Sequence, residues 1–211
     1  WSEGVISLQS DKGRISGEAS FVLERAEVKS VSVSNAAFDA QVDAADVGDG
    51  PMTLSWKGEI ADSAFPGGKL SAARTEGEAS FTELPSLSAA DIMAVLTKAA
   101  FTLETSTISR GGYGADAMTL TAQLTGDTGN IGGPVSVNAV RAVAPQGGAD
   151  RLASQGMFSR SAEGTLLYAG DASASGAHVT PSLSKDLTSP LVFPGALADH
   201  GTSLRVAAHR R

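Results

Sequence analysis

An all-β fold, mostly antiparallel with one or two short helices, is what this sequence predicts, and three observations carry the prediction. Apolar and polar residues alternate along most of the chain, the period-two mark of half-buried strands. The 24 glycines, with abundant Ser and Thr, supply the turns that many short strands need. The third observation is repetition. Gly17-Glu18-Ala19-Ser20-Phe21 returns as Gly77-Glu78-Ala79-Ser80-Phe81, Ala36-Ala37-Phe38 as Ala99-Ala100-Phe101, and Met52-Thr53-Leu54 as Met118-Thr119-Leu120, in the same order. Words repeated at long range mark units that cover one another's apolar edges. The 211 residues therefore read as one β-rich segment, 1–211, with related units at about 13–75 and 76–140 and a C-terminal part at 141–211.

Taken in order, Ile6 and Leu8 alternate with polar partners in a first strand, and Asp11-Lys12-Gly13 is a turn. Ile15, Gly17, Ala19, Phe21 and Leu23 fall on one face of the next. Val28 opens a strand in which Val31 and Val33 share a face, and Phe38, Ala40 and Val42 share one in the strand after. Met52, Leu54 and Trp56 follow the acidic loop at 43–51, and Phe65-Pro66-Gly67-Gly68 is a turn. Ser88 as an N-cap, Asp91 in the first turn, and Ile92, Val95, Leu96 and Ala99 on one face predict a helix over 89–98. Strands resume with Phe101 and Leu103 and continue through Met118, Leu120, Ala122 and Leu124, with a loop at Arg110-Gly111-Gly112-Tyr113-Gly114 between them. Val135, Val137 and Ala139 alternate in another. Residues 150–155 read as a helical turn, 165–168 and 177–179 as strands, and 196–211 as a terminal helix interrupted at Gly201.

Composition excludes several classes. A net charge of −7 and a pI near 4.9 argue against nucleic acid as a partner. Cys is absent, which removes disulfides, Cys-ligated zinc, iron–sulfur clusters and thiol nucleophiles together. No window is long and apolar enough for a membrane-spanning helix, and the start at Trp1 and the stop at Arg211 read as cuts in a longer chain. His178, His200 and His209 lack the spacing of a helical metal site. Ser182-Leu183-Ser184-Lys185 has the Ser-x-x-Lys spacing without its companion motifs, and there is no Gly-x-Ser-x-Gly elbow. Gly126-x-x-Gly129-x-x-Gly132 reads as a hairpin and not as a phosphate loop, and Asp43, Asp46 and Asp49 read as turn chemistry and not as a calcium site. No catalytic residue, metal or cofactor is expected, and the chain is read as non-enzymatic.

The alternating apolar rows have two readings. They fill the closed core of a β-sandwich or jelly roll, or they line an open groove on an elongated, curled sheet. Few large aromatics among the inward residues favour the groove, although small residues also serve tight sheet-on-sheet packing.

Two stretches, Gly13-Arg14-Ile15-Ser16-Gly17-Glu18-Ala19-Ser20-Phe21 and Val31-Ser32-Val33-Ser34-Asn35-Ala36-Ala37-Phe38, are similar in texture to the AsmA-like proteins of the YdbH and TamB type. Ile131-Gly132-Gly133-Pro134-Val135-Ser136-Val137 and Gly164-Thr165-Leu166-Leu167-Tyr168-Ala169-Gly170 share that look. The resemblance implies a curled sheet with an apolar trough, a place in the periplasm or cell envelope of a Gram-negative bacterium, and movement of phospholipid acyl chains between inner and outer membranes. Contact with those membranes would be made by parts of the chain absent here. On that reading the lipid-facing residues are Ala19, Phe21, Leu23, Val31, Val33, Phe38, Val42, Leu54, Trp56, Phe101, Leu103, Met118, Leu120, Leu124, Val135 and Val137. The competing expectations are an assembly protein of a viral or cell-surface particle and, third, a secreted hydrolase using the late histidines.

Overall fold

A run of alternating residues makes a strand, and a turn of two residues returns it beside its predecessor; repeated along the chain this builds one meander. The computed structural model describes residues 2–11, 14–28, 30–44, 50–83, 89–127, 129–179 and 202–210. β1 (Ser2–Asp11), β2 (Arg14–Val28), β3 (Val31–Ala44), β4 (Met52–Phe65) and β5 (Gly68–Phe81) pair antiparallel in chain order. The helix α1 (Ala89–Val95) follows, then β6 (Leu96–Thr105), β7 (Thr107–Arg110), β8 (Tyr113–Ala115) and β9 (Ala117–Asp127). β10 (Asn130–Ala144), β11 (Gly147–Arg160), β12 (Leu166–Ser175), β13 (His178–Val179) and β14 (Thr202–Arg210) complete a single sheet. The fold is all-β and antiparallel with one short helix, and the described strands belong to one curled sheet and not to two packed ones.

β7 keeps against β5 the register that β6 holds, β8 continues that of β9 against β10, and β13 continues that of β12 against β11. Each pair is one strand interrupted once, at Ser106, Asp116 and Gly176. The same line crosses the uninterrupted strands, where Glu24, Asn35, Ala61, Ala72, Arg141 and Asp150 drop out of the ladder while the register on either side is kept. Asn35, Ala72 and Arg141 have φ of 48°, 46° and 49°. A left-handed residue inside a strand turns the following side chains to the other face. Along β4 the inward residues are Met52, Leu54, Trp56 and Ile60 before the line, then Ser63 and Phe65 beyond it. β5, β10 and β11 change phase at the same level. This crease divides the sheet into a long tier and a short one.

The inner face of the long tier is filled at its far end. Met52, Ala79, Phe81, Leu96, Ala99, Ala122, Leu124 and Ile131 form the core, and Ile92, Met93 and Val95 of α1 pack against it. The β5–β6 connection folds back on itself there, with the Thr82 amide donating to the Val95 carbonyl at 2.9 Å. At the outer end of the sheet Phe21 and Phe38 stack on paired positions, with ring centroids 5.2 Å apart.

Several expectations are corrected. The change of phase between Val33 and Phe38 is not a strand end: both lie in β3, on either side of the crease. The helix stops at Val95, and Leu96 to Lys98 belong to β6, because Leu96 is drawn into the core opposite Phe81. Residues 150–155 lie within β11, held by ladders on both sides, and are not helical. The terminal stretch is strand β14 over Thr202–Arg210 and not helix; 196–201 lie outside the described residues, as does Ser88. The repeated words occupy β2, β3 and β4, then β5, β6 and β9, three strands along the sheet. Three is odd, so the second set of strands runs opposite to the first.

Candidate functional site

Directly opposed residues of an antiparallel pair share a face, so the registers assign the inner surface row by row. The row beside the crease runs from Leu23 through Ala36, Ile60 and Ala73, then Thr105, Met118, Ala139, Leu152 and Ala174. It is built mainly of small side chains. Where large residues plug the far end, this row leaves a cavity of about 940 Å³, ringed by β4, β5, β6, β9, β10, β11 and β12 at one level, with Asn35 of β3 at its margin. Each of those strands contributes three consecutive residues, the middle one pointing in. A ring of that kind requires the sheet to curl back on itself like a barrel wall.

A second cavity of about 470 Å³ adjoins it across the crease and shares Met118, Ala139 and Leu152. Its other walls are Ile108, Ala115, Ala142 and Ala149 of the short tier. The smaller cavity is almost wholly apolar, whereas the larger also has Asn35, Glu59, Arg74, Glu104, Asn138 and Arg151 on its lining. Thr105 Oγ1 lies 2.8 Å from the Ser71 carbonyl and 2.9 Å from the Thr107 carbonyl, and accepts from the Thr107 amide at 3.3 Å. Its hydroxyl is spent on the backbone, which leaves only its methyl group to offer a guest.

The residues expected from sequence to face lipid fall on this inner surface. Leu23 and Met118 are in the crease row; Phe21, Phe38, Leu103, Leu120 and Val137 are in the next; Ala19, Trp56, Phe101 and Val135 follow; then Val42, Leu54 and Leu124. Val31 and Val33 lie beyond the crease, in the short tier. These residues do not form one site. Leu124 is core, and Val42, Leu54, Trp56, Phe101 and Val135 pack against the core. Trp56 is held there by a 3.2 Å hydrogen bond from Nε1 to Thr75 Oγ1, and its ring lies over Gly77, where a Cβ would come within 2.6 Å of Cζ2. Met118 and Val137 border the cavities. Ala19, Phe21 and Leu23 lie on β2, beside β1, where the inner face is least covered: Ile6 is 76% exposed, Leu8 68% and Phe21 43%.

Sequence reasoning missed Ile60, Ala73, Ala139, Leu152 and Ala174. Ile60 continues the parity of Met52, Leu54 and Trp56, and Ala73 that of Gly77 and Ala79, so both were within reach. Leu152 was hidden by reading its segment as helical.

The described ion pairs are exposed to solvent. The Arg14 guanidinium donates to the Asp43 carboxylate from the neighbouring strand and holds that carboxyl below its ordinary value. Arg141 pairs with Asp116 on the crease, and Arg74 with Glu59 at 3.2 Å. Asp46 and Asp49 lie outside the described residues. β9 and β10 pair as a hairpin, with Asp127 opposite Asn130 and Gly126 opposite Ile131, as expected. Among the described residues no group of three or more His, Asp or Glu side chains is placed to hold a metal, and no helix is long and apolar enough to cross a membrane. Compared with protein-family models, with curated proteins and with solved structures, the chain matches none.

Proposed function

We propose that this protein is a non-enzymatic lipid-transfer segment, and that its crease cavity holds the acyl chain of a phospholipid. The observation that carries the reading is the cavity of about 940 Å³, with Ile60, Ala73, Met118, Ala139 and Leu152 among its walls, the last three shared with the smaller apolar one. Each methylene moved from water into such a space gains roughly 0.8 kcal/mol, so a single long chain supplies ample affinity without any directed contact. A head group stays wet at the crease, among Asn35, Ser106 and the Arg141–Asp116 pair. The resemblance of the strand texture to AsmA-like proteins points the same way and supplies the setting: phospholipid passing through the periplasm between inner and outer membranes. The plugged end bears on how such a segment works. With α1 packed over the far core, a chain enters at the crease side and stops, so this stretch acts as a holding site and not as a through-conduit.

The test is organic extraction of the purified protein followed by lipid mass spectrometry, beside displacement of a fluorescent fatty acid. Phospholipid at near-stoichiometric amounts is expected in the wild type, and its loss in Ala139→Leu with the fold retained. Protein that carries no lipid and displaces no probe, or that forms discrete lipid-free assemblies, overturns the reading.

A further inference from the structure

The tip of the β7–β8 hairpin stands at the mouth of the smaller cavity, and the lipid reading leaves its two polar residues without a role. Gly111 and Gly112 have φ of 57° and 87°. Two left-handed residues in succession make the tight hairpin turn that sets the flanking residues opposite each other, here Arg110 and Tyr113. The Gly111 amide donates to the Gly67 carbonyl at 3.0 Å and Arg110 lies opposite Gly68, so the tip is fastened to the β4–β5 turn. Parity then aims the pair. Ile108 and Arg110 line the cavity of about 470 Å³ and Ser109 between them does not, while Tyr113 and Ala115 line it from β8. The inward row of Arg110 holds Phe65, Gly68 and Tyr113, and the row behind it Ser63, Leu70, Ile108 and Ala115. Arg110 is the one charge in either row. Among the described residues its guanidinium has no acidic partner, since the ion pairs use Arg14, Arg25, Arg74, Lys98 and Arg141. Its neighbours across the ladder are aromatic. The Phe65 ring lies over Gly68, so close that a Cβ there would come within 2.3 Å of Cε2, and Tyr113 is 56% exposed.

We infer that Arg110 and Tyr113 form a head-group site for an anionic amphiphile, so that the cargo this cavity selects carries a negative charge. The inference rests on the lipid reading and adds which lipids are favoured. The guanidinium supplies a planar fork of N–H donors matched to a carboxylate or a phosphate, and the Tyr113 hydroxyl supplies a further donor. A head group resting at the crease meets water and the Arg141–Asp116 pair, whose charges already satisfy each other. From Met118 to Tyr113 is five residues, roughly 17 Å of strand. An amphiphile anchored at Arg110 therefore lays its chain past Ile108, Ala115 and Ala142 and reaches the larger cavity at Met118. An anionic head gains a partner by moving from the crease to the rim. A zwitterionic head gives back part of that gain, because its own ammonium meets the same guanidinium. With a net charge of −7 the molecule as a whole repels an anion, so a preference for anionic cargo comes only from a local cation.

The test is competition against a neutral environment-sensitive dye bound to the full 211-residue chain. The competitors share one acyl chain: a lysophospholipid with an anionic glycerol head, one with a zwitterionic choline head, and the free fatty acid. The two anionic lipids are expected to displace the dye at about three- to tenfold lower concentration than the choline lipid, the range of one charge-assisted contact at a partly wet site. Arg110→Gln is expected to remove that advantage, Arg110→Lys to keep part of it, and Tyr113→Phe to reduce it less than Arg110→Gln does. Lys69 lies opposite Ser109, on the other face of the same strand pair, so Lys69→Gln removes an equal charge and is expected to leave the advantage intact. These side chains are exposed, so every variant is expected to keep the thermal midpoint of the wild type. Inorganic phosphate at the concentration of the lipids is expected to leave the advantage in place; if it erases it, the site takes a free anion and the amphiphile is ruled out. Equal displacement by both heads, or an advantage that Lys69→Gln removes as fully as Arg110→Gln, overturns the proposal while the lipid reading stands. Failure of every lipid to displace the dye overturns both.

Discussion

The two ends of the long tier share one pattern and reach opposite results. At the far end Met52, Phe81, Leu96, Leu124 and Ile131 alternate inward and close on one another under α1. A few residues along the same strands, the row of Ile60, Ala73, Met118, Ala139, Leu152 and Ala174 alternates inward just as strictly and lines a cavity. Alternation therefore decides which face a residue takes, and side-chain volume decides whether that face packs or leaves space. An interior packs at crystal-like density only when the side chains across it sum to the volume enclosed. A ring of alanines at that radius cannot.

Changes of volume test the contrast most directly. Ile131, at 2% exposure, is the most enclosed large side chain described, so Ile131→Ala should cost about 2–5 kcal/mol by chemical denaturation. A loss well under that would mean the plugged end is already loose, and the contrast would fail. Ala99 and Ala73 make the sharper pair, since both are buried alanines on the inner face. Ala99→Leu overfills the core and should cost about 1–3 kcal/mol. Ala73→Leu grows into the cavity and should cost under about 1 kcal/mol while displacing bound acyl chain. Equal costs at the two positions would show that the cavity offers no room.

The crease is the next target, because it separates the two tiers. Asn35→Val forces a β-branched residue into a left-handed conformation and should cost about 1–2 kcal/mol. Ala72→Gly relieves the same strain and should gain about 0.5 kcal/mol, glycine's greater freedom in the unfolded chain taking back part of the relief. If both substitutions are neutral to urea denaturation, the crease does not store the strain assigned to it.

Much of this was legible in the sequence, for a stated reason. Period two is the direct imprint of a half-buried strand, so the all-β class, the face of Leu54, Leu103 and Leu120, and the turns at Pro66-Gly67 and residues 126–130 could be read residue by residue. The crease was visible too, as the shift of parity between Val33 and Phe38, but a single strand carries no means of telling a phase change from a strand end. That distinction needs the partner strands, where Ala61 and Ala72 fall on the same line as Asn35. The helix was placed but overrun, because Leu96 suits a helical face and a strand equally and only its position opposite Phe81 selects the strand. Whether the inner face would fill or remain hollow was not legible at all, since it depends on the radius of the curl, which no local pattern encodes.

The smallest effect expected belongs to the outer surface, and its smallness is part of the same contrast. Arg14 and Asp43 are both largely in water, so their attraction is screened and adds little beside interior volume. Its sign is nonetheless fixed. The hydrogen bond from Arg14 holds the folded-state Asp43 carboxyl below its unfolded value, so the contribution is present at neutral pH and disappears as pH falls through the folded value. Asp43→Asn should lower the thermal midpoint slightly at pH 7, and the difference from wild type should shrink as pH falls below the ordinary carboxylate range and on adding salt. A difference that instead widens on acidification would mean Asp43 is stabilised in its protonated form. Arg14 would then be an incidental neighbour, not the group that sets the Asp43 titration.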